Sequence, residues 1–106
     1  MKRNDAIVRI RAALKKRSGK SWSVIGGTGT GWGWIRIISP PRRRNEYNHM
    51  TEAECTELAK LLGFEDDKKR LHYQGHSVPD SNEYRQEYVD RAEGRTPSVL
   101  GTIYWD

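Results

Sequence analysis

The sequence is short of cysteine and of hydrophobic runs. Its one cysteine, Cys55, excludes an internal disulfide and any zinc site built from several cysteines. No apolar stretch follows the N-terminus, because Arg9 and Arg11 interrupt the pair Ile7-Val8. We therefore expect neither a signal peptide nor a membrane span. The Asn-x-Ser/Thr glycosylation acceptor is absent too, and together these absences predict a cytoplasmic protein.

Apolar residues are also scarce, at 35% of the 106 positions, while charged residues reach 31%. A chain of this length is expected to form one domain, here residues 1–106, with a modest core. So little apolar material argues against a metabolic enzyme with a deep active site. No two polar side chains stand at a spacing that catalysis requires, so we name no catalytic residue and expect no cofactor.

The histidines do not predict a metal site. His72 and His76 are spaced as helical metal ligands are, but Gly75 and Pro79 argue against a helix there. Neither a carboxylate nor a cysteine stands at an offset that would complete such a site. We interpret these histidines as polar surface or hydrogen-bonding residues, and Cys55 as a small core residue.

Acidic residues are almost missing from the first part of the chain. Residues 1–44 contain 12 Lys and Arg but only one acid, whereas residues 45–106 contain 7 Lys and Arg and 13 acids. This asymmetry predicts a basic surface on the first part. That surface could bind a polyanion, or it could pair with the acidic part within the fold or in a dimer.

Glycine and tryptophan are concentrated in residues 26–37, which hold five of the ten glycines and two of the four tryptophans. Alternating and β-branched residues flank the glycines, which predicts a β-hairpin over about residues 21–38. A nucleotide-binding loop is excluded, because these glycines are followed by a strand and the dinucleotide fingerprint opens a helix. The glycines serve a wide or bulged turn, or they let a ligand approach the backbone closely.

The register of this hairpin decides which side chains share a face. With residues 28–29 at the turn centre, Trp22 faces Ile35 and Val24 faces Gly33. The strands then have an apolar core face and an aromatic-cationic outer face. The core face holds Trp22, Val24, Ile35 and Ile37, and the outer face holds Trp32, Trp34 and Arg36. A slip of one residue would instead place Trp22 and Val24 beside Trp32 and Trp34, and either of these last two could be core under a helix.

Three helices are predicted from apolar periodicity and capping residues. The first spans 4–18, with Asn4 or Asp5 as its cap and Gly19 after its end. The second spans 51–62, opens with a capping box and closes at a Gly-Phe pair. The third spans about 81–93 and carries two tyrosines one turn apart. Their buried stripes are Ile7, Ile10 and Leu14 with Ala6 and Ala13; Leu58, Leu61 and Leu62; and Tyr84, Tyr88, Val89 and Ala92.

Residues 71–74 are a possible third strand, and the apolar tail 99–106 is expected to dock as a strand or extended segment. The predicted order is α-β-β-α-(β)-α-tail. The fold class is therefore α+β, with three helices packed on a small antiparallel sheet.

The basic residues offer candidate contacts for phosphate. They are Lys15, Lys16, Arg17, Lys20, Arg42, Arg43 and Arg44. Guanidinium groups suit phosphate, and the last three follow Pro40-Pro41, which end the second strand. The alternatives are a solvated loop for the arginine run and complementation of the helix dipole for the residues at 15–17. The first helix has no aromatic anchor, so we do not predict membrane binding.

Several segments together resemble a known group of domains. These are residues 21–35 (SWSVIGGTGTGWGWI), residues 40–43 (PPRR), the helix end at Leu62-Gly63 and residues 87–94 (EYVDRAEG). The pattern is similar to small domains found in large polyvalent proteins of phages and plasmids, which sometimes stand alone in bacteria. The biochemical role of that group is undefined, so the resemblance implies a bacterial or mobile-element setting and no functional residues.

Two functions remain in view. The first is a small basic module that binds nucleic acid, single-stranded in preference, through Trp32, Trp34 and Arg36 on one face and through the lysines and arginines named above. The alternative is a protein-interaction module, an adaptor, inhibitor or self-associating domain, since Trp and Arg are also enriched in interface hot spots. Its partner would then be an acidic protein surface, which a second copy of the chain could supply. Either could act as a monomer or a homodimer. Enzymatic activity is the least favoured hypothesis.

Overall fold

Three helices and three strands alternate in the order α-β-β-α-β-α in the computed structural model, which describes residues 1–27, 33–64 and 75–101. The helices are α1 (Arg3–Ser18), α2 (Glu52–Leu62) and α3 (Asn82–Ala92), and the strands are β1 (Ser23–Gly26), β2 (Trp34–Ile38) and β3 (His76–Pro79). A short 3-10 turn at Pro41–Arg43 follows β2, where the sequence predicts only a loop. The predicted α+β class and element order are confirmed.

The strands form one antiparallel sheet with β2 in the middle. Ile35 of β2 lies between Gly26 of β1 and Val78 of β3, and Ile37 lies between Val24 and His76. These side chains point to the inner face, and the isoleucines and valines there are at most 3% exposed. Along β2 the buried Ile35 and Ile37 alternate with the exposed Trp34 and Arg36, whose side chains lie on the opposite face of the sheet.

The pairing of β1 with β2 differs from the predicted register. Val24 pairs with Ile37 rather than with Gly33, four residues further along β2, so Trp22 does not face Ile35. The glycine-rich segment between the strands permits more than one register, and the last paired residues are Gly26 and Ile35. Because four is an even offset, each described residue keeps its predicted face.

Helix α1 packs across the inner face with a stripe of Ala6, Ile7, Ile10 and Leu14, each at most 8% exposed. Its predicted cap is wrong: Lys2 is the N-cap, without a side-chain hydrogen bond, and Asn4 and Asp5 lie inside the first turn. Its end agrees with the prediction, because Gly19 adopts φ +74° and its N–H reaches the carbonyl of Lys15 at 2.8 Å.

Helix α2 begins and ends as its sequence predicts. Thr51 and Glu54 form a capping box in which each side chain bonds the other's backbone N–H, both at 3.3 Å. At the other end Gly63 has φ +82°, and the N–H of Phe64 reaches the carbonyl of Ala59 at 2.7 Å. This is the Schellman geometry, which satisfies carbonyls that the helix leaves unpaired.

Helix α3 follows β3 almost directly and packs against α1 and α2. Ser81 caps it by accepting a hydrogen bond from the N–H of Tyr84 at 3.2 Å. The rings of Tyr84 and Tyr88 stack as predicted, with centroids 6.4 Å apart. The third strand predicted at 71–74 and residues 102–106 of the predicted tail lie outside the described residues.

Candidate nucleic-acid interface

The outer face of β2 carries an aromatic and a cationic side chain. Trp34 is 44% exposed and Arg36 is exposed, while Ile35 between them is 1% exposed and points to the helices. Trp34 is therefore not a core residue. Arg36 lies between Ile25 of β1 and Ser77 of β3, which are both exposed. The structure thus places two of the predicted binding residues together on the open face, and Trp32 lies outside the described residues.

One end of this open face is covered. Ile38 has the outer-face parity of Trp34 and Arg36 but is only 2% exposed. It lines a concavity of about 300 Å³ together with Arg36, Tyr47 and residues 48–49. Tyr47 itself is 71% exposed. The open part of the face therefore runs from Trp34 to Arg36 and ends beside an exposed tyrosine.

The arginine run after β2 is divided by the structure. Arg42 and Arg43 are exposed, and within the described part of the chain their guanidinium groups make neither a hydrogen bond nor an ion pair. Arg44 turns inward, donating from Nε to the carbonyl of Ser39 at 3.0 Å and from a terminal nitrogen to the Asn48 side chain at 3.2 Å. Arg42 and Arg43 are thus available for a ligand, whereas Arg44 holds the 3-10 turn in place.

The basic residues near the end of α1 are divided in the same way. One terminal nitrogen of Arg17 donates to the carbonyls of Leu61, Arg91 and Ala92 at 2.7–3.2 Å, where α2 and α3 end. Lys20 makes an ion pair with Glu57 of α2. Lys15 and Lys16 are exposed, but they belong to the helical side of the sheet, so the structure does not bring them to the face of Trp34.

Several residues of the basic part pair with the acidic part inside the fold. Besides the Lys20 pair, Arg9 contacts Glu93 at 3.0 Å and Arg3 lies 3.8 Å from Asp80. The charge asymmetry of the sequence is therefore partly internal. Among the described residues, the exposed cations of the basic part without an ion pair include Lys15, Lys16, Arg36, Arg42 and Arg43.

A concavity of about 480 Å³ lies between β3 and α3, and the sequence did not reveal it. Its lining includes Trp34, His76, Ser77, Tyr84, Glu87 and Tyr88, so Trp34 borders both this concavity and the open face. The sequence predicts both tyrosines as core residues; Tyr88 is buried, whereas Tyr84 is only half-buried. One signal in the sequence could have revealed this concavity. Glu87 and Arg91 are four residues apart, so they form a charged pair on the side of α3 that carries the tyrosines.

The polar groups of this concavity are held by specific contacts. The Nε2 of His76 lies 2.6 Å from the hydroxyl oxygen of Tyr88, and both residues are at most 7% exposed. Arg91 donates from Nε to Glu87 at 2.8 Å, and its guanidinium carbon lies 4.4 Å from the centre of the Phe64 ring. The second Glu87 oxygen accepts the N–H of Gly101 at 2.6 Å. The floor is therefore ordered, and its charges compensate each other.

Cys55 does not have the environment of a nucleophile. Burial raises the pKa of the Cys55 thiol, and the negative charges of Glu54 and Glu52 raise it further. The thiol therefore stays protonated near neutral pH, when a nucleophile would need a lowered pKa. No group of three or more potential metal ligands occurs in residues 1–27, 33–64 and 75–101, and His72 lies outside these ranges.

Comparison of the chain with protein-family models, with curated proteins and with solved structures found no match. The resemblance to domains of polyvalent phage and plasmid proteins therefore stays a prediction. None of the helices in the described ranges is long and apolar enough to cross a membrane.

Proposed function

We propose that this protein is a module that binds single-stranded nucleic acid on the open face of its sheet. The observation that supports this best is the position of Trp34, 44% exposed on the central strand, with Arg36 beside it. A base stacked on an exposed aromatic ring contributes roughly 1–3 kcal/mol, whatever its identity. Two residues along a strand span about 7 Å, so a guanidinium stands close to a base stacked on Trp34.

The phosphate contacts come from cations that the fold leaves unpaired. Arg36 stands on the face itself, and Arg42 and Arg43 extend from the turn after β2. If these three each neutralise one phosphate, log affinity falls with log salt with a slope of about −2 on a single strand. We assign Arg17, Lys20 and Arg44 to the fold, because their side chains are already held by carbonyls, a carboxylate or an amide.

A single strand fits this face better than a duplex. Bases inside a duplex are stacked on each other, so an aromatic ring can stack only on a base that is unpaired. A cytoplasmic location accords with this function, since nucleic acid occurs there and Cys55 is a free thiol.

The test is fluorescence anisotropy of a labelled mixed-sequence 12-mer, single-stranded and duplex, at several salt concentrations. Trp34→Ala should weaken single-strand binding roughly 5- to 150-fold, as the loss of one stack predicts. Ile25→Ala is the matched control, because Ile25 is similarly exposed at 47% on the same face but has no ring. Its affinity should stay within about threefold of wild type, since an aliphatic side chain offers no stacking surface.

Two outcomes would refute this function. One is the absence of single-strand binding at low salt by protein that is folded by circular dichroism. The other is unchanged affinity in folded Trp34→Ala. A salt-independent affinity would also argue against phosphate contacts.

A second candidate is a protein-interaction module, and the paired exposure of Ile25 and Trp34 favours it. Both are apolar side chains about half exposed on neighbouring strands, and a protein partner would bury both. Sedimentation velocity of the purified chain tests self-association directly. In this case Ile25→Ala and Trp34→Ala both weaken association, whereas only Trp34→Ala of these two variants should weaken nucleic-acid binding.

A further inference from the structure

The concavity between β3 and α3 opens directly beside the proposed stacking residue. Trp34 forms one wall, Ser77 and Pro79 continue that wall along β3, and Tyr84 stands opposite on α3. A strand whose base stacks on Trp34 therefore passes the mouth of this concavity.

The backbone of β3 turns hydrogen-bonding groups toward the concavity. The N–H of Asp80 donates to the carbonyl of Gly33 at 2.7 Å, which fixes the alternation of the antiparallel ladder. In an antiparallel ladder, residue pairs joined by backbone hydrogen bonds alternate with residue pairs that are not so joined. The backbone of Val78 therefore bonds β2, while the N–H and C=O of Ser77 point away from β2. Ser77 thus offers a donor and an acceptor at an edge of the sheet that pairs with no other strand among the described residues.

Side chains at the mouth add further polar atoms. Within the described part of the chain, three polar groups that line the concavity make no hydrogen bond: the hydroxyls of Ser77 and Tyr84 and the indole N–H of Trp34. Ser77 is exposed and Tyr84 is half-buried. The deeper groups are already paired, as with His76 and Tyr88. The mouth therefore has unused donors and acceptors above a floor that is fixed.

The charge of the concavity indicates the chemistry of its occupant. Among the described residues that line it, the one carboxylate and the one guanidinium belong to Glu87 and Arg91, which pair at 2.8 Å. A phosphate or a carboxylate would gain nothing from such a pair. Tyr84 stacks on Tyr88, and Gly101 lies against the Tyr84 ring, so Tyr84 offers its hydroxyl rather than a ring face. A neutral group with polar edges suits this hydroxyl and the groups of Ser77.

We infer that this concavity holds one unstacked nucleobase of the bound strand, next to the base that stacks on Trp34. The inference rests on the proposed function and adds base preference to it. Stacking accepts every base, whereas hydrogen bonds to the edge of a splayed base distinguish one from another. Ser77 and Tyr84 are then specificity-determining residues, and Arg36 is not.

The experiment measures affinity for 12-mers of dA, dC and dT with wild type, Ser77→Val, Tyr84→Phe and Arg36→Gln. Wild type should prefer one of them by roughly fivefold or more, the lower end of base discrimination by hydrogen bonds. Ser77→Val keeps a strand-forming residue at an exposed position but fills the mouth, and Tyr84→Phe removes only a hydroxyl. At least one of these should reduce the preference to within about twofold while retaining affinity for the weakest homopolymer, because stacking is unchanged.

Arg36→Gln is the matched control for the phosphate contacts. It should lower affinity for all three homopolymers by the same factor and leave the preference intact. Binding without base preference, or a preference that survives in both folded variants, would overturn the inference and leave the proposed function standing. Absence of binding to every homopolymer by folded wild type would remove both.

Discussion

Asp90 and Ser98 are joined by two hydrogen bonds: one oxygen of the Asp90 carboxylate accepts both the N–H and the hydroxyl of Ser98, each at 3.1 Å. The other oxygen accepts from Gln86 and Arg95, both at 2.9 Å. The carboxylate is 4% exposed. It therefore fastens the segment after α3 to the helix, much as Glu87 fastens Gly101.

The Asp90 carboxylate should make the stability of the fold depend on pH in the acidic range. Burial alone would raise the pKa of Asp90, but the hydrogen bonds from Arg95, Ser98 and Gln86 outweigh it and lower the pKa to about 2. The charged form therefore stabilises the fold fully above about pH 4, and that contribution is lost as the pH falls toward 2. In urea unfolding, Asp90→Asn should lower the free energy of unfolding by about 1–2 kcal/mol at pH 7 and by less near pH 2.5. Equal losses in Asp90→Asn and in the exposed control Glu46→Gln would contradict this.

Gly75 should tolerate a side chain much less well than Gly33. It has φ +115°, and an added Cβ would stand 2.9 Å from the carbonyl oxygen of Ile37. Gly75→Ala should lower the free energy of unfolding by about 2–3 kcal/mol, because the backbone must strain and β3 must move. Gly33→Ala is the matched control, since nothing lies within 4 Å of its Cβ position, and its change should stay under about 1 kcal/mol. Chemical denaturation of both variants decides, and equal losses would be the contrary result.

Replacing Arg17 should destabilise the fold more than replacing its neighbour Lys16. Arg17→Gln removes a cation that satisfies carbonyls at the ends of α2 and α3, and the partly exposed site limits the expected loss to about 1 kcal/mol. Lys16→Gln, one residue away and exposed without an ion pair, should change thermal stability little, within about 0.5 kcal/mol. Thermal unfolding by circular dichroism measures both. A Lys16→Gln loss as large as that of Arg17→Gln would contradict the assignment.

Within the arginine run, Arg44 should contribute to stability, and Arg42 and Arg43 should contribute to binding. Arg44→Gln breaks the bond to the Ser39 carbonyl and should cost about 1 kcal/mol of unfolding free energy. The double variant Arg42→Gln/Arg43→Gln should retain wild-type stability but make the slope of log affinity against log salt shallower by roughly 1.4 on a single strand. Urea unfolding and salt-dependent anisotropy measure the two effects. A destabilised double variant, or one with an unchanged salt slope, would be the contrary result.

Local chemistry made much of the fold predictable. The capping box at Thr51 and the glycine after Leu62 depend only on neighbours in sequence, and both are where the pattern predicts. The two faces of the hairpin were predictable because strand alternation has a period of two. The pairing was not, because a turn rich in glycine permits several lengths and only the packed sheet selects one.

The candidate site was predictable only in part. Trp34 and Arg36 alternate with isoleucines, so their shared face could be read from the chain. The concavity could not, because its walls come from β2, β3, α3 and the segment after α3. The inward turn of Arg17 and Arg44 was equally hidden, since the carbonyls they contact have no signature in the side-chain sequence.

The central position of β2 has a consequence for the order of folding. Its first partner, β1, is the element immediately before it in the chain, but its second partner, β3, follows only after α2. A two-stranded ribbon is marginal in water, so α1 and the hairpin gain a lasting sheet only when β3 closes the far edge of β2. A chain emerging from the ribosome therefore commits to its native sheet late, once the segment that also carries Tyr88 and Val89 to the core has been synthesised.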